Sequence, residues 1–342
     1  MAIGCAGPLQ RELEQMHIET RLLEFHNGQG QRHPQQALRE QLLRVCQQIR
    51  PQLIHANSVA MSRLVGPVAA RAAIPSLGHL RDMLRISGQA SRDLQCHARL
   101  LAVSAATKAW YERCGVAPEK LHVVHNGVDL HRFRPRERTG YLHRELSLPP
   151  SSILLATVGQ IGLRKSTQDV LEAFRQVISR QSNIHLLIVG ERHSQKLESI
   201  EFEQSLRRRA GSPDLAEHVH FLGYRNDIAR LLPELTALVH GARQEPLGRV
   251  LLEAAAVGLP IVATDVGGTS EIFPPRTNSA VLVPAQNPDK MAHEIDCILQ
   301  DSARQAELGT SARQRIRYHF SDKACATRIR EHYEAVKECL GH

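Results

Sequence analysis

The sequence predicts an α/β protein with two domains, each built on a parallel sheet. Short apolar runs rich in Val, Ile and Leu alternate with amphipathic helical stretches, a pattern typical of strands covered by helices on both faces. The length of 342 residues is too great for one ordinary compact core and fits two domains. Aromatic residues make up only 4% of the chain, which indicates aliphatic cores. We therefore expect two Rossmann-like domains that face a cleft.

The predicted strands fall in both halves of the chain. In the first half they are PQLIHAN, AAIPSLG, RLLAVSA and KLHVVHNG, with helices over segments such as 36–49 and 59–73. In the second half they are ILLATVG, IHLLIVG, HVHFLG, ALVHG, PIVATD and AVLVPA. Open parallel sheets bind ligands at the carboxyl ends of their strands, so the loops that follow these runs are the candidate sites.

A charged, proline-bearing and turn-rich segment separates the two halves. This segment, RFRPRERTGYLHRELSLPPSS, covers residues 132–152. It predicts a first domain over residues 1–135, a linker over 136–151 and a second domain over 152–320.

The excess positive charge lies in the first half. Residues 1–150 hold 20 Lys and Arg against 12 Asp and Glu, whereas the charges of the remaining residues balance. A basic half favours a phosphorylated substrate or an anionic lipid as partner, and a merely solvated surface is the alternative. Interleaved aromatic residues and nucleic-acid recognition motifs are missing, so we expect no nucleic acid as partner.

The composition indicates a soluble, cytoplasmic protein. No apolar run approaches the ~18 to 20 residues that cross a bilayer, and the start MAIGCAGPLQ lacks the regions of a signal peptide. The seven cysteines are odd in number and form no C-x-x-C pair. We therefore expect reduced thiols and no metal site.

A candidate anion-binding loop follows the first strand of the second half. In VGQIGLRKSTQDVLEAF, the strand leads through Gly159 and Gly162 to Arg164 and Lys165, and then into a helix. Free backbone N–H groups beside two cations suit an anion, although such a pair can also be a simple surface feature. The spacing differs from G-x-x-x-x-G-K-[ST], so a nucleoside triphosphate P-loop is not indicated.

Two glutamates flank the start of another predicted helix. In QEPLGRVLLEA, Glu245 lies in the loop after the strand ALVHG, and Glu253 lies inside a helix that begins near Gly248. The helix amides could bind a diphosphate, and the carboxylates could accept hydrogen bonds from sugar and ribose hydroxyls. Arg249 could contact phosphate or extend into solvent. This layout suits a nucleotide sugar, although either glutamate alone is typical of a solvated helix end.

The longer segment EPLGRVLLEAAAVGLPIVATDVGGTSEIF resembles the signature of the retaining GT-B glycosyltransferases of family four, the glycosyl transferases group 1. Glu245 and Glu253 match the E-x7-E pair of that family, and Gly267, Gly268 and Glu271 match its GG-x-x-E. Further similar segments are LLAVSAATKAW, VVHNGVDLHRFRP, VGQIGLRKSTQDVLEAF, IHLLIVGE and HFLGYRNDIARLL. The resemblance covers nearly the whole chain.

The resemblance implies a GT-B fold and transfer of a sugar from a nucleoside diphosphate sugar with retention of the anomeric configuration. It implies no metal ion and no cofactor. By matching positions, Glu253 would bind the donor ribose, Glu245 the transferred sugar and Lys165 the diphosphate. Gly268 and Thr269 would lie at the pyrophosphate and the sugar.

Two further positions carry implications from the same resemblance. His79 in IPSLGHLRD matches a strand-end histidine that faces the reacting sugar, which implies a catalytic role beside Glu245. FSDKACATRIREHYEAV, residues 320–336, resembles the last helix of the family, which returns to the first domain, so we expect this helix over residues 321–342.

The chain also departs from the family pattern. The phosphate-loop arginine of the family falls on Gln160, so we expect Arg164 or Arg249 to replace it, and Ser166 replaces a glycine. The start MAIGCAGPLQRELEQMHIETRLLEF resembles the second strand and helix of the family. We therefore expect the first βα unit, roughly 40 residues, to be missing.

These features predict a glycosyltransferase whose second domain binds a nucleotide-sugar donor. Its basic first domain would bind a glycan, lipid-linked or small-molecule acceptor, with peripheral contact to an anionic membrane at the inner face. Two alternatives stay open: a GT-B nucleotide-sugar epimerase or sugar-phosphate synthase, and a non-catalytic GT-B remnant that binds nucleotide at most. The expected loss of a βα unit favours the remnant, and the intact E-x7-E region counts against it.

Overall fold

The computed structural model describes residues 1–338. Contacts divide these residues into two compact units. The first unit contains residues 1–103, 107–124 and 329–338, and the second contains residues 104–106 and 125–328. All named strands of both units pair in parallel.

The first unit contains two parallel sheets. A two-stranded sheet pairs β1 with β2, and a four-stranded sheet has the order β3-β4-β5-β6. The strands are β1 (Ala2–Gly4), β2 (Thr20–Leu22), β3 (Ile54–Ala56), β4 (Ser76–Leu80), β5 (Arg99–Ala102) and β6 (Leu121–Val123). The helices between them are α1 (Pro8–Gln15), α2 (Gln35–Ile49), α3 (Val59–Arg71), α4 (Gly88–Gln95) and α5 (Ala105–Arg113).

Helix α3 shows how local sequence builds this unit. The Ser58 side chain caps its N-terminus by accepting a hydrogen bond from the amide of Met61. Leu64 and Val68 lie on its buried face and pack in one apolar cluster with Leu38 of α2. The helix is therefore fixed by a cap at its start and by core packing along one side.

The second unit contains one six-stranded parallel sheet with the order β12-β11-β10-β7-β8-β9. Its strands are β7 (Ile153–Val158), β8 (Ile184–Val189), β9 (Val219–Gly223), β10 (Ala237–His240), β11 (Ile261–Thr264) and β12 (Val281–Val283). Its helices are α6 (Tyr141–Glu145), α7 (Thr167–Ile178), α8 (Leu197–Ala210), α9 (Ile228–Leu231), α10 (Arg249–Ala256), α11 (Thr269–Ile272), α12 (Pro288–Gln300) and α13 (Ser302–His319), and α14 (Asp322–Glu338) continues into the first unit.

The strand order places a topological switch point between β7 and β10. From β7 the chain proceeds outward through β8 and β9, and from β10 it proceeds in the opposite direction through β11 and β12. Connections that leave neighbouring strands in opposite directions open a crevice at their carboxyl ends. The second unit therefore offers its ligand crevice after Val158 and after His240.

The segment predicted as a linker is ordered against the second unit. The buried Glu234 carboxylate accepts hydrogen bonds from the amide of Thr139 at 2.7 Å and the amide of Gly140 at 2.8 Å. Tyr141, at the start of α6, donates from its hydroxyl to Asp227 at 3.0 Å. The contacts group residues 125–151 with the second unit.

The end of helix α14 packs within the first unit. The Tyr333 hydroxyl lies 2.6 Å from Nδ1 of His55. Arg99 donates to Nδ1 of His332 at 3.0 Å. Residues that are far apart in the sequence thus complete the core of this unit.

The structure confirms all ten strands predicted from apolar runs and the parallel α/β class. Helix α2 begins one residue before the predicted segment 36–49, and α3 ends at Arg71, two residues before the predicted end. Within residues 1–338, no helix is both long enough and apolar enough to cross a membrane. Six cysteines of the described chain are free thiols, and Cys339 lies outside the described residues.

Three histidines of the first unit are neutral: His79 and His97 are buried, and His55 is partly buried. Burial, reinforced by the charge of Arg81, lowers the pKa of His79 to about 2 and that of His55 to about 4. Burial likewise lowers the pKa of His97 to about 4, although it has hydrogen-bond partners. The imidazole rings of His55 and His79 stack with their centres 5.4 Å apart.

We expect the first unit to lose stability as the pH falls below about 6.5, the ordinary pKa of histidine. Below that value the unfolded chain binds protons that the folded histidines do not bind, and each histidine stops contributing below its own folded pKa. Each should reduce the free energy of unfolding by about 1.4 kcal/mol per pH unit. Urea unfolding followed by the fluorescence of Trp110, the single tryptophan, reports on this unit.

A matched pair of variants tests whether the buried His79 ring causes this pH dependence of stability. His79→Asn removes a buried histidine ring, whereas His17→Asn removes an exposed histidine ring from the same unit. The first variant should flatten the pH dependence and the second should not. An unchanged slope in His79→Asn would contradict the burial of a neutral ring.

Candidate functional site

The candidate site lies at the switch point of the second unit. Three loops converge there, namely residues 159–166 after β7, residues 241–248 after β10 and residues 265–268 after β11. A small recess at the end of β7 is lined by Gly159, Gln160, Lys165 and His240, among others. The site therefore occupies the position where open α/β sheets bind ligands.

Glu245 is the centre of the polar contacts. Its side chain is only 6% exposed, and its Oε2 accepts hydrogen bonds from Nζ of Lys165 at 2.5 Å and from Nε2 of His240 at 2.8 Å. A guanidinium nitrogen of Arg164 lies 3.9 Å from Oε1. One buried carboxylate is thus surrounded by two cations and an imidazole.

Burial and neighbouring charges determine the pKa values of Glu245, Lys165 and His240. Burial alone would raise the pKa of Glu245, but hydrogen bonding by His240 and the charge of Lys165 lower it to about 2. Burial lowers the pKa of Lys165 against the attraction of Glu245. Burial and the neighbouring Lys165 charge also lower the pKa of His240. The site therefore holds a carboxylate and a neutral imidazole at physiological pH.

Arg243 links the loops that follow β7 and β10. Its Nε donates to Oγ of Ser166 at 2.9 Å, and its amide donates to the carbonyl of Arg164 at 2.8 Å. Ser166 is buried with φ of 48°, and its hydroxyl donates to Asp169 at 2.6 Å. Ser166 thus has a left-handed backbone and uses its hydroxyl to join the loops.

The two arginines that could replace the missing family arginine have different surroundings. Arg164 donates to the carbonyl of Gln244 at 3.1 Å and lies beside Glu245. Arg249 is the first residue of α10, is 77% exposed, and lies 3.6 Å from Oε1 of Glu253. Arg164 is therefore the cation that shares the loop crevice with Lys165.

Helix α10 presents the second glutamate of the pair. Gly248 precedes the helix with φ of 100°, a left-handed conformation that favours glycine. The Glu253 side chain is 15% exposed, and burial raises its pKa. Glu245 and Glu253 thus have opposite pKa shifts, although they are close in sequence.

Two glycines bring the loop after β11 against the loop of Glu245. Gly267 has φ of 56°, and a Cβ atom there would lie 1.9 Å from the carbonyl oxygen of Glu245. At Gly268 a Cβ atom would lie 2.5 Å from the carbonyl oxygen of Pro246, and the Gly268 amide donates to Glu245 at 2.9 Å. The GG pair therefore fixes the backbone position of Glu245.

The residues that follow the glycine pair have different surroundings. Thr269 is fully buried, and its Oγ1 has no hydrogen-bond partner within residues 1–338. Glu271 accepts hydrogen bonds from the amides of Ala105 at 2.8 Å and Ala106 at 3.0 Å, and from Nε2 of His125 at 3.0 Å. The Glu271 carboxylate thus makes structural hydrogen bonds within the protein.

His79 belongs to the first unit, where it lies inside strand β4. Its side chain has no exposed surface, and its Nε2 has no hydrogen-bond partner among the described residues. Two residues later, Arg81 donates to Asn57 from Nε at 3.0 Å and to Nδ1 of His79 at 3.4 Å. The catalytic role implied for His79 stays a prediction.

The structure brings Arg164, Lys165 and Glu245 into direct contact, as expected for one site. Sequence reasoning missed His240 and Arg243, which complete the contacts of Glu245 and of the loop at Ser166. A signal for His240 was present, because a histidine ends the otherwise aliphatic strand ALVH. Nothing comparable marks Arg243, since its partner lies 77 residues away.

This arrangement suits a ligand with both negative charge and hydroxyl groups. Lys165 and Arg164 supply fixed positive charge for an anion such as a diphosphate. The carboxylates of Glu245 and Glu253 can accept hydrogen bonds from hydroxyl groups. The glycine-rich loops allow close approach of a ligand to the backbone.

Two family models match the sequence. The model described as Glycosyl transferases group 1 matches residues 141–315, about half of the chain, and the model described as Glycosyltransferase Family 4 matches residues 4–132. The candidate site lies within the first of these matches.

Curated proteins with related sequences are similar over part of their length. The chain is 28% identical over 229 residues to D-inositol 3-phosphate glycosyltransferase of Streptomyces bingchenggensis, covering 65% of this chain and 50% of that protein. It is 29% identical over 215 residues to the GDP-mannose-dependent monoacylated alpha-(1-6)-phosphatidylinositol monomannoside mannosyltransferase of Corynebacterium glutamicum, covering 60% and 53%. The chain thus spans about half the length of these relatives.

A solved structure is similar over nearly the whole chain. The crystal structure of Anabaena HepE in complex with UDP-glucose has a TM-score of 0.86 at 21% identity, covering 98% of this chain and 91% of that chain. The likeness identifies the fold as GT-B.

We expect Gly267→Ala to destabilise the second unit. The added Cβ would meet the Glu245 carbonyl, and alanine disfavours the positive φ, so the free energy of unfolding should fall by about 2 to 4 kcal/mol. Gly162→Ala is the matched control, because its φ is extended and no atom lies within 4 Å of the added Cβ. Urea unfolding followed by circular dichroism measures both. Equal stability of the two variants would contradict the close approach at Gly267.

Proposed function

The chain belongs to the glycosyl transferases group 1 family, and on that premise we propose that it transfers a sugar from a nucleoside diphosphate sugar to an acceptor hydroxyl group. The related proteins named above are glycosyltransferases, and HepE binds UDP-glucose in its crystal structure. The proposal thus assigns the crevice of the second unit to the donor.

The observation that carries the proposal is the contact of Lys165 with the ionised, buried Glu245 at the switch point. In the proposal, Lys165 and Arg164 bind the diphosphate, and Glu245 accepts hydrogen bonds from the transferred sugar. Glu253 accepts them from the ribose, because its partly exposed carboxylate lies on α10 beside the same loop.

The backbone completes the proposed donor site. Gly248 opens the helix that carries Glu253, and Gly268 and Thr269 begin the short turn of α11. We place the pyrophosphate and the sugar against these backbone groups. Arg249 remains mostly exposed and is a weaker candidate for phosphate than Arg164.

The proposed reaction needs stabilisation of a leaving group. The bond between the anomeric carbon and the diphosphate oxygen breaks, and the released diphosphate gains negative charge next to Lys165 and Arg164. The acceptor oxygen attacks on the same face, and its proton passes to the departing phosphate. Retention follows from this geometry, and the proton coupling of the anomeric centre in the product tests it. The fixed cations support a reaction without a metal ion.

The charge distribution supports an anionic acceptor. The first half of the sequence carries the excess positive charge, and the name of the mannosyltransferase relative contains phosphatidylinositol monomannoside. We propose that the acceptor is a glycan, a lipid-linked molecule or a small molecule, and that the protein contacts an anionic membrane peripherally. This mechanism needs no step by His79, whose ring has no exposed surface.

We expect the protein to bind one class of nucleoside diphosphate and its sugar conjugate in EDTA. Calorimetric titration with UDP, GDP and ADP, and with UDP-glucose and GDP-mannose, identifies the base. Glu253→Gln should weaken binding roughly 10- to 100-fold, because it replaces charge-assisted hydrogen bonds to the ribose with neutral ones. Burial raises the pKa of Glu253, so binding to the original protein should weaken on acidification at a higher pH than for an exposed glutamate.

Glu201→Gln is the control for this substitution, because it removes the same charge from an exposed position of α8 in the same unit. It should bind like the original protein. If no nucleotide bound to the folded protein, the donor site would be excluded and the remnant alternative favoured. A requirement for added divalent metal would exclude metal independence.

We also expect binding to anionic membranes. The protein should sediment with vesicles of phosphatidylglycerol at low salt, and ionic strength should release it, since screened surface charge carries the attraction. Vesicles of phosphatidylcholine are the control. Equal sedimentation with both lipids, or with neither, would contradict an electrostatic contact.

A further inference from the structure

His240 is a buried titratable group that the proposed reaction does not use. It is the last residue of β10, and its side chain is 3% exposed. Its Nε2 lies 2.8 Å from Oε2 of Glu245, within the same unit. A polar ring in this position requires an explanation, because the other residues of the strand are aliphatic.

The two oxygens of Glu245 have different surroundings. Oε2 accepts hydrogen bonds from both Lys165 and His240, whereas the contact described for Oε1 is the 3.9 Å approach of Arg164. One oxygen is therefore held by the protein. The other keeps its acceptor capacity for a ligand.

The contact also fixes the protonation of the imidazole. Glu245 is an ionised carboxylate and can only accept, so the proton lies on Nε2 of His240. Burial and the charge of Lys165 lower the pKa of His240, which keeps the ring neutral. A neutral ring with a fixed tautomer is a directional donor that adds no net charge to the site.

Lys165 alone cannot hold Oε2 of Glu245 in place while a donor is bound. In the proposed function Lys165 contacts the diphosphate, and a second anion then competes with Glu245 for its ammonium group. A buried carboxylate that loses part of its pairing is costly unless another donor stays in place. His240 is that donor, because it extends from a strand of the sheet core and has no anionic ligand of its own.

We infer that His240 is a positioning residue that holds Oε2 of Glu245 and thereby presents Oε1 to the hydroxyl groups of the transferred sugar. The inference rests on the proposed function and deepens it. It predicts that His240 affects recognition of the sugar and leaves recognition of the nucleoside diphosphate unchanged. A purely structural histidine would affect both equally.

The test compares binding of a nucleoside diphosphate with binding of its sugar conjugate. UDP with UDP-glucose and GDP with GDP-mannose are titrated calorimetrically into the full chain, and the pair that binds is used for all variants. His240→Leu removes the donor. His240→Gln keeps an amide N–H near the position of Nε2, whereas His240→Asn places its amide near Nδ1.

We expect His240→Leu and His240→Asn to weaken binding of the sugar conjugate about tenfold, with binding of the nucleoside diphosphate changed less than about twofold. His240→Gln should restore the sugar conjugate to within about threefold of the original protein. In a Glu245→Gln background, His240→Leu should cause little further loss, because the two residues act as one unit.

Three results would overturn the inference. Unchanged preference for the sugar conjugate in His240→Leu and His240→Asn would show that the ring does not position Glu245. Equal losses for both ligands in all three variants, including His240→Gln, would indicate a structural role only. Binding of neither ligand by the unsubstituted protein would reject the proposed function itself, and this is seen before any variant is compared.

The variants remain informative if one of them does not fold. Thermal unfolding is measured for each, and a failure of His240→Leu leaves the comparison of His240→Gln with His240→Asn. These two substitutions are both polar and differ in where the amide lies. Restoration by Gln but not by Asn supports the inference, and equal behaviour overturns it.

Discussion

The site depends on keeping one carboxylate ionised inside the protein. Burial of Glu245 costs free energy that must be offset locally, and the offset comes from Lys165, 80 residues earlier in the chain, and from His240 on the adjacent strand. These partners meet only because β7 and β10 are neighbours in the sheet. The strand order that creates the crevice therefore also creates the charge arrangement within it.

The glycines of the site help to fix Glu245 through its backbone. Gly267 and Gly268 let the loop after β11 approach the Glu245 carbonyl, and the hydrogen bond from the Gly268 amide fixes that peptide. Side-chain contacts then hold the carboxylate from within the unit. Because both ends of the residue are restrained, little rearrangement is needed when a ligand binds, which favours preorganised recognition.

The fold was far more predictable than the contacts of the site. Strands such as IHLLIVG are marked by short runs rich in Leu, Ile and Val, and helix α3 by the helical pattern of segment 59–73, so local sequence is sufficient for them. The partner of Arg243 depends on the register of two loops and on the left-handed turn at Ser166, which no local pattern specifies. Likewise, the predicted strand at His79 is correct, but the depth of its burial depends on packing by residues from elsewhere in the chain, such as His55.

The two glutamates of the E-x7-E pair show why spacing alone does not define function. Each is largely buried, yet hydrogen bonds and cations lower the pKa of Glu245 to about 2, whereas burial raises that of Glu253. Arg249, the only cation whose ion pair with Glu253 is described in residues 1–338, is mostly exposed, so solvent screens its charge. Glu245 thus stays a permanent acceptor over the whole physiological range. Glu253 is the carboxylate whose proton occupancy, and hence whose affinity for hydroxyl groups, responds first when the surroundings become acidic.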